Sequence, residues 1–567
     1  MHTPHVNPVY AYRHSPDQDS PTPVHHPVII VGGGPCGLAA ALDFATHNIP
    51  CVVLDDNNTV SVGSRAISFA KRTLEIFDRY GCADPMVEKG ITWQLGKVFF
   101  KDDLVYEFNL LPEDDHKLPA FINLQQYYLE EYMVNRVEQR DSIDLRWLQK
   151  VTHVDSQKDI TRITVENQEG SYEMTCDYLL VADGANSKIR TQLGLESKGQ
   201  VFEDRFLIAD VHMKSDFPKQ RWFWFDPPFH KNQSVLLHRQ ADDIWRIDFQ
   251  LGWDADPEEE KKEENIRPRL EQMLGKDVEF ELEWASVYTF QCRKMDDFIH
   301  NRVFFIGDAA HQVSPFGARG ANGGVQSVEN LVWKMANVMK GYAPEPLLWT
   351  YNDERQHGAA ENLMNSTRST DFITPKSEMS HIFRDETLRL AKKHAFARPL
   401  VNSGRLSKPC DYRHSRLNTF TGDDFNLGVA PGFVCKDAPI QKQGENAWLM
   451  NQLGTQFSLM LNIDVPANEC DALKTLIQEV VNVEPKIRVL MISKDAKNAV
   501  EFSALDNAKD ISLIEDTKSL IQERYDLHPG SGYLVRPDQI VCARWKTLSI
   551  PSIKEAQQRA LGRFIEE

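Results

Sequence analysis

Three separated groups of residues in this 567-residue chain have the types and spacing to hold a phosphorylated cofactor. The first is Gly32-Gly33-Gly34-Pro35-Cys36-Gly37. In such a run Gly32 permits a tight turn, Gly34 lets backbone approach a pyrophosphate, and Gly37 lets a helix pack closely on a strand. The helix that follows offers unpaired N–H groups and a positive partial charge to phosphate oxygens. Asp55, eighteen residues beyond Gly37, is placed to accept from ribose hydroxyls, with Asp56 as a solvated neighbour. This group specifies a dinucleotide without choosing between FAD and NAD.

The second group is Asp183-Gly184-Ala185-Asn186-Ser187-Lys188-Ile189-Arg190. The third is Gly307-Asp308-Ala309-Ala310-His311, continuing through Pro315 to Gly317, Gly320, Gly323 and Gly324. An aspartate at the tip of a buried strand can bond a ribityl hydroxyl. The long helix after the glycine-rich turn would aim its first N–H groups at the pyrimidine edge of a flavin, where the reduced ring carries negative charge. A simple NAD dehydrogenase has no need of a second Asp-Gly system some 270 residues downstream. The pattern therefore favours FAD. His311 reads either as a base or as a packed residue at the helix entry.

The elements that must position these groups follow from the apolar pattern. Residues 28–31, the glycine turn and the Ala/Leu-rich run to residue 48 read as strand, turn and helix, with a second strand at 51–54. Buried strands at 178–181 and 303–306 precede the two aspartate motifs. Segments 64–80 and 126–139 carry apolar residues at three- and four-residue steps and are expected to be helical, as is about 321–340. Between 206 and 290 short alternating segments (221–225, 234–238, 245–251) indicate antiparallel sheet, with an acidic helical insert at 257–274. The tail holds a strand at 487–492, a helix at 518–525 and a hairpin-like pair at 531–535 and 540–545. The fold class expected is α/β. A Rossmann-like FAD-binding domain spans 27–200 and 295–400, and an antiparallel-sheet substrate domain, 201–294, is interleaved. A linker, 401–432, leads to a C-terminal α/β domain, 433–567. Residues 1–26, polar and rich in His and Pro, read as a disordered leader.

Composition narrows the partners. Lys and Arg total 64 against 82 Asp and Glu, a net charge of -18, so nucleic acid and anionic membranes would be repelled on average. No run approaches the roughly 20 apolar residues of a membrane span, and no secretory signal opens the chain. Nine dispersed cysteines, with no CxxC and no zinc-ligand spacing, suit a reducing cytoplasm and point to no metal. The HExxH, GxSxG and GxxxxGK[ST] signatures are missing. A small-molecule partner is expected.

The segments GGGPCG, DGANSKIR and GDAAHQVSPFGARGANGGVQSVENLVWKMA resemble, in order and spacing, the three fingerprints of the group A flavoprotein aromatic hydroxylases, the family of para-hydroxybenzoate hydroxylase. The similarity runs over about 28–396. The branch of 3-(3-hydroxyphenyl)propionate hydroxylase and phenol hydroxylase ends in a thioredoxin-like domain without redox cysteines. The tail here, including Gly532-Tyr533-Leu534-Val535-Arg536-Pro537-Asp538, is similar to it. The resemblance implies that Gly32, Gly34, Gly37 and Asp55 hold the ADP half of FAD. It sets Arg65 near the flavin and pyrophosphate, the alternative being an exposed cation at a helix start. It makes Gln126 a cofactor contact, the alternative being a solvated helix residue. Asp183 would serve FAD and reduced nicotinamide, and Asp308 the ribityl chain. Pro315 would sit beside the reacting ring or merely end a turn, and Ala321 and Asn322 would offer backbone N–H groups to the flavin. The chain departs from the family at Ser327-Val328-Glu329, where an Asp-Ala pair is usual before Asn-Leu, which bears on how this helix packs.

The chemistry implied runs from NAD(P)H to FAD, then through O2 and a flavin C4a-hydroperoxide to an electron-rich phenolic ring, with a base or donor near the ring hydroxyl. The middle sheet would supply the substrate face. Its candidates are Trp222, Trp224, His238, Arg239, Arg246 and Tyr288, and catalytic roles fall to Pro315, Tyr288, His238 and Arg239. Arg239 or Arg246 could hold a substrate carboxylate as a bidentate pair, or these strand residues simply pack and snorkel. Trp222-Phe223-Trp224-Phe225-Asp226-Pro227 half-resembles the WxWxIP signature of flavin-dependent halogenases, with Asp226 where Ile would stand. Two other readings stay open: a flavin oxidase or related oxidoreductase without ring hydroxylation, and a flavin-free interaction protein working through its C-terminal domain. That domain, lacking CxxC, is expected to be structural or to form a homodimer rather than to exchange thiols.

Overall fold

Four consecutive β-branched residues, Val28, Ile29, Ile30 and Val31, form the buried half of strand Val24–Val31 in the computed structural model. The structure describes residues 5–564 apart from 64, 216, 276, 402–405, 407 and 507–508. Residues 1–4 of the expected leader, and 402–405 and 407 of the expected linker, lie outside the described residues. Val24–Val31 pairs in parallel with Gly170–Val181 on one edge and Cys51–Leu54 on the other, and Gly170–Val181 pairs in parallel with Val303–Phe305. Strands flanked on both edges and covered on both faces are apolar without alternation, which is why these segments stand out in the sequence. The register sets Leu54, Val31, Val181 and Phe305 side by side. Asp55, Gly32, Asp183 and Asp308 therefore emerge at one edge of the sheet, its carboxyl end, where ligands bind in doubly wound folds. Ile143–Arg146 and Ile299–His300 close the two sides, and Lys150–Ser156 and Thr161–Asn167 extend it in antiparallel fashion. Helices Pro35–Thr46 and Gly320–Met339 pack on each other over this sheet.

A second eight-stranded sheet stands against the first. Its order is His311–Gln312, Glu281–Met295, Ser197–His212, Ile244–Leu251, Ser234–Arg239, Arg221–Phe225, Leu95–Phe100 and Asp103–Asn109. One face buries Leu207, Val235, Trp245, Ile247 and Phe249 against Ile266 and Leu270 of helix Glu263–Leu274. The other carries Phe206, Phe223, Phe225 and Phe290 toward Phe316 and helices Pro346–Ile373 and Glu378–Lys393. The tail forms a seven-stranded sheet with Phe457–Asn462, Ile487–Ser493 and Ile511–Glu515 parallel and Gly532–Val535 and Val541–Trp545 antiparallel. Helix Cys470–Val480 between the first two strands and helix Ile550–Ala560 at the end complete a thioredoxin-like βαβ and ββα arrangement. All nine cysteines are free.

Two expectations need correction. From His5 onward the leader lies on the body instead of being loose: Val9 bridges to Thr59, Tyr10 stacks on Trp147 at 4.5 Å, and Asp17 pairs with buried Arg146 at 2.7 Å. Apolar and ionic partners on the FAD-side body give these polar-looking residues something to bury. The helix expected over 64–80 begins only at Lys71, because 68–70 form a short strand paired with Phe121–Asn123. Helical spacing in a short apolar run does not separate the two cases.

Candidate active site

The first glycine loop is shaped from inside and open outside. Gly32 has φ +106°, and a β-carbon there would fall 2.5 Å from the Ala182 carbonyl oxygen. One on Gly37 would overlap the Gly32 carbonyl oxygen, so helix Pro35–Thr46 can approach its strand only with glycine at that position. A β-carbon on Gly34 would meet nothing within 4 Å. The space beside Gly34 is therefore free for a ligand, at the N-terminus of a twelve-residue helix. Asp55 accepts from the Gly33 N–H and, at 2.8 Å, from the Asn57 N–H, so it fixes the loop itself. Burial raises its carboxyl above the ordinary range.

The second and third motifs are stapled together. Arg190 donates to the Ala309 carbonyl at 2.7 Å and to the Ala185 carbonyl at 2.9 Å, and Gln312 also donates to Ala185. Asp183 accepts through Oδ2 from the Lys188 and Ile189 N–H groups, capping helix Lys188–Gln192, while its buried Oδ1 has no partner among the described residues. Cys36 of the first motif sits between Gly307 and Gly324 of the third. A β-carbon on either would fall 2.7 or 2.5 Å from its Sγ. Burial, with Asp308 nearby, pushes this thiol up to about 12, so Cys36 packs as a neutral hydrophobe. Asp308 opens into the cleft while protein surrounds its other sides. That enclosure pushes its carboxyl up to about 6, against the pull of Arg65.

Arg65 stands on a loop braced from below. Gln126 accepts from the Ala66 N–H at 3.0 Å and donates to Ser61 and Glu130, and Glu130 accepts from both the N–H and hydroxyl of Ser61. Gln126 thus supports the loop. Asn322 is buried and spends its amide on Ala70, Thr73, Ser68 and Ala318. The intrahelical bonding of Gly320–Met339 begins at the Gly323 N–H, which leaves the Ala321 and Asn322 N–H groups without an intrahelical acceptor at the partly buried first turn. Pro315 is exposed at the mouth of the same turn. His311 is buried, 3.2 Å from the Ser327 hydroxyl. Burial holds its imidazole down at about 3, which fits the packed reading and not the base.

Strand pairing lays out the facing sheet as rows. Arg246 lies between His238 and Asp210, and Asp210 beside Trp284. Arg221 continues this row one step beyond the pair Trp222 and Leu237. The next row reads Phe223, Leu236, Asp248, Ile208 and Ser286, and Phe206 with Tyr288 stands in the third. Both ends of the first row touch the cofactor-side loops. A β-carbon on Gly63 would fall 2.7 Å from the Trp284 ring, and Arg221 donates to the Phe316 carbonyl at 3.4 Å. Arg221 also lines a narrow recess with Phe108, Phe223, Phe316, Ser369 and Ile373.

Of the sheet candidates, His238 and Tyr288 are on this face, His238 buried and held neutral by burial and by Arg221 and Arg246. Arg239 is not. Alternation turns it to the other face, where it pairs with Asp243 at 2.8 Å and lies over Trp245. Arg246 faces inward but is already held by Asp210 through two bonds of 2.8 and 2.7 Å. Trp222 and Trp224 also point away and pack on Phe99. Arg221 and Asp248 belong to the site and were not singled out. The alternation that placed Trp222 and Trp224 on one face already put Arg221, Phe223 and Phe225 on the other. Away from the cleft, His357, Glu361 and Cys410 bring their donor atoms within 4.8 Å of one another.

A family model described as an FAD binding domain matches residues 25–366, more than half of the chain. The chain belongs to that family. Among curated relatives of this FAD-binding protein is the 3-(3-hydroxy-phenyl)propionate/3-hydroxycinnamic acid hydroxylase of Mycolicibacterium gilvum, 24% identical over 94% of this chain and 91% of the relative. A probable NADH-specific resorcinol 4-hydroxylase of Rhodococcus jostii is 28% identical over 58% of this chain and 62% of its own. Among solved structures, the flavin-dependent monooxygenase PieE in complex with FAD and substrate shares the fold with a TM-score of 0.77. It is 20% identical and covers 96% of this chain and all of that one. Among the described residues no helix is long and apolar enough to cross a membrane.

The cleft fits the family's cofactor on its own evidence. The open cradle at Gly34, the orphaned Oδ1 of Asp183, the carboxylate of Asp308 and the free first turn of Gly320–Met339 are the donors and acceptors that a dinucleotide bearing a flavin requires.

Proposed function

We propose that the protein is an FAD-dependent monooxygenase that uses NAD(P)H and O2 to hydroxylate a phenolic or related aromatic compound. The observation that carries this reading is the pairing of a dinucleotide cleft with a second wall, rich in phenylalanine and polar at its centre, that touches the cleft's loops at Gly63 and Phe316. FAD would be held by Gly32, Gly34 and Gly37 with Asp55, by Arg65, Asp183 and Asp308, and by the N–H groups of Ala321 and Asn322. Once bound it supplies hydride acceptance and O2 activation. The chain's own work is to bind, orient and exclude water. Phe206, Phe290 and Phe316 pack ring on ring at 4.9–5.1 Å and, with Phe223, form an apolar wall on which Tyr288 packs. A flat ring would lie over this wall, beside Pro315. Arg221 is 6% exposed and forms no ion pair among the described residues. A buried guanidinium that no carboxylate pairs directly, with only the longer-range attraction of Asp248, costs several kcal/mol, about what an anionic or hydroxyl group on a substrate would recover. It takes the place that the sequence suggested for Arg239 or Arg246. The relatives named for a hydroxyphenylpropionate and for resorcinol make phenols, with or without a carboxylate, the first class to test.

The same reading takes residues 27–200 and 295–400 as the FAD-binding domain and 201–294 as the substrate domain. It takes the thioredoxin-like tail as a structural unit or homodimer contact, in a cytoplasmic protein. The test is to follow NAD(P)H consumption and product by mass with a panel of phenols. Phenol-stimulated consumption with a matching yield of hydroxylated product is expected. Consumption that yields only H2O2, whichever phenol is present, would favour the oxidase reading instead.

A further inference from the structure

We infer that Asp248 is the catalytic base for the substrate's ring hydroxyl, with Arg221 as the counter-ion of the phenolate it creates. The inference rests on the monooxygenase reading above and names a residue within it. Asp248 occupies the centre of the cleft-facing rows, between Leu236 and Ile208 and one row from Arg246. Its Oδ1 is buried and has no hydrogen-bond partner among the described residues, and its Oδ2 is 3.8 Å from His238 Nε2, beyond bonding range. His238 Nδ1 is likewise without a partner among the described residues. Buried polar atoms are almost always paired in folded proteins, so an unpaired carboxylate and imidazole on one aromatic wall point to a ligand that donates there.

The neighbouring charges suit the role. Arg246 is committed to Asp210, so this pair is close to neutral, while Arg221 is attracted by Asp248 without an ion pair to it among the described residues. His238 is neutral. In the step, the phenol O–H bond breaks, its proton passes to the Asp248 carboxylate, whose side chain is 17% exposed, and the electron pair stays on the ring oxygen opposite Arg221. Nothing is oxidised or reduced, and the ring becomes more electron-rich before oxygen transfer. Burial pushes the Asp248 carboxyl up to about 7, with Asp210 adding to that and Arg246 and Arg221 opposing it, so the base would ionise near neutral pH.

The experiment uses the FAD-loaded protein and whichever of phenol, resorcinol and 3-(3-hydroxyphenyl)propionate it hydroxylates. Affinity for that phenol and for its methyl ether is read by tryptophan fluorescence across pH, alongside product formation. In the wild type, phenol affinity should tighten up to about tenfold from about pH 6 to pH 8, as expected for a carboxylate titrating near 7, while the ether shows no such change. Asp248→Asn should abolish that limb in binding and lower product formation at least tenfold. Arg221→Gln, which removes a charge that lowers the Asp248 pKa, should move the limb to higher pH. Asp248→Glu, keeping a base, should retain a limb and covers the event that Asp248→Asn does not fold, with FAD content checking each variant. Persistence of the limb in Asp248→Asn, or the same limb for the methyl ether, overturns the inference while leaving the monooxygenase reading standing. Failure of the wild type to hydroxylate any of the three phenols defeats that reading itself.

Discussion

Gly34 and Gly37 sit three residues apart and are glycine for different reasons, which makes them separable by experiment. Gly37→Ala forces a β-carbon onto the Gly32 carbonyl, so both fold and cofactor suffer, and the purified variant should carry at least tenfold less FAD. Gly34→Ala touches no protein atom. The cofactor-free variant should melt with the wild type, yet bind added FAD at least tenfold more weakly. Equal FAD affinity in Gly34→Ala would mean that the pyrophosphate lies elsewhere. His311 permits a pH test. With a folded pKa of about 3 and an ordinary unfolded value near 6.5, the unfolded chain binds the extra proton in that window, so stability is lost as pH falls through it. His311→Gln should remove up to about 3 kcal/mol of acid sensitivity between about pH 6.5 and pH 4, seen as a smaller drop in Tm than the wild type shows. Gly32 and Gly37 were legible because residue type alone records a close contact, and the strand-tip aspartates because each follows a buried strand. Arg221 and Asp248 were not. Alternation says which residues share a face but not which face looks into the cleft, and Arg239 was lost to the same ambiguity.

Helix Gly320–Met339 shows why one departure from the family pattern is coherent. Glu329 accepts from Arg72 at 2.5 Å and from Arg79 at 2.8 Å, and Ser327 accepts from Arg355 at 3.0 Å. The unusual Ser-Val-Glu run is thus read by three arginines on neighbouring elements, something visible only once those elements are packed. Glu329→Ala would leave two buried guanidinium groups short of charge and should cost about 3–5 kcal/mol, measured by denaturant unfolding. A loss below about 1 kcal/mol would show that Glu75 beside Arg72 and Asp43 beside Arg79 already serve them. The helices Gln126–Val137 and Gly320–Met339 were legible because their periodicity is long, whereas 68–70 became a strand through pairing that no local pattern announces.

Across the whole molecule the tail is locked onto the FAD-binding body by buried charge. Arg536 binds Glu354 and Asp538, Asp538 accepts from Trp333 Nε1 at 3.1 Å, and Arg72 donates to Gln539 and to the Asp538 carbonyl. A chain ending at Lys408 would strand Glu354 and Arg72 without these partners. It should yield at least tenfold less FAD-loaded protein than the full chain, measured by flavin absorbance per protein, and equal yield would make the tail dispensable to the fold. The solution mass of the full chain tests the homodimer directly. The buried strands of the first sheet were legible because such strands carry their own signature, but their order and the packing between sheets, which brings Trp284 to Gly63 and Arg221 to Phe316, are properties of the assembled chain alone. The claim that joins these scales is that the cleft and the aromatic wall act together on O2 and a phenol. Turnover under isotopically labelled O2 with NAD(P)H and an accepted phenol tests it most directly. One labelled oxygen atom per product molecule is the outcome expected, and H2O2 as the sole labelled product would contradict it.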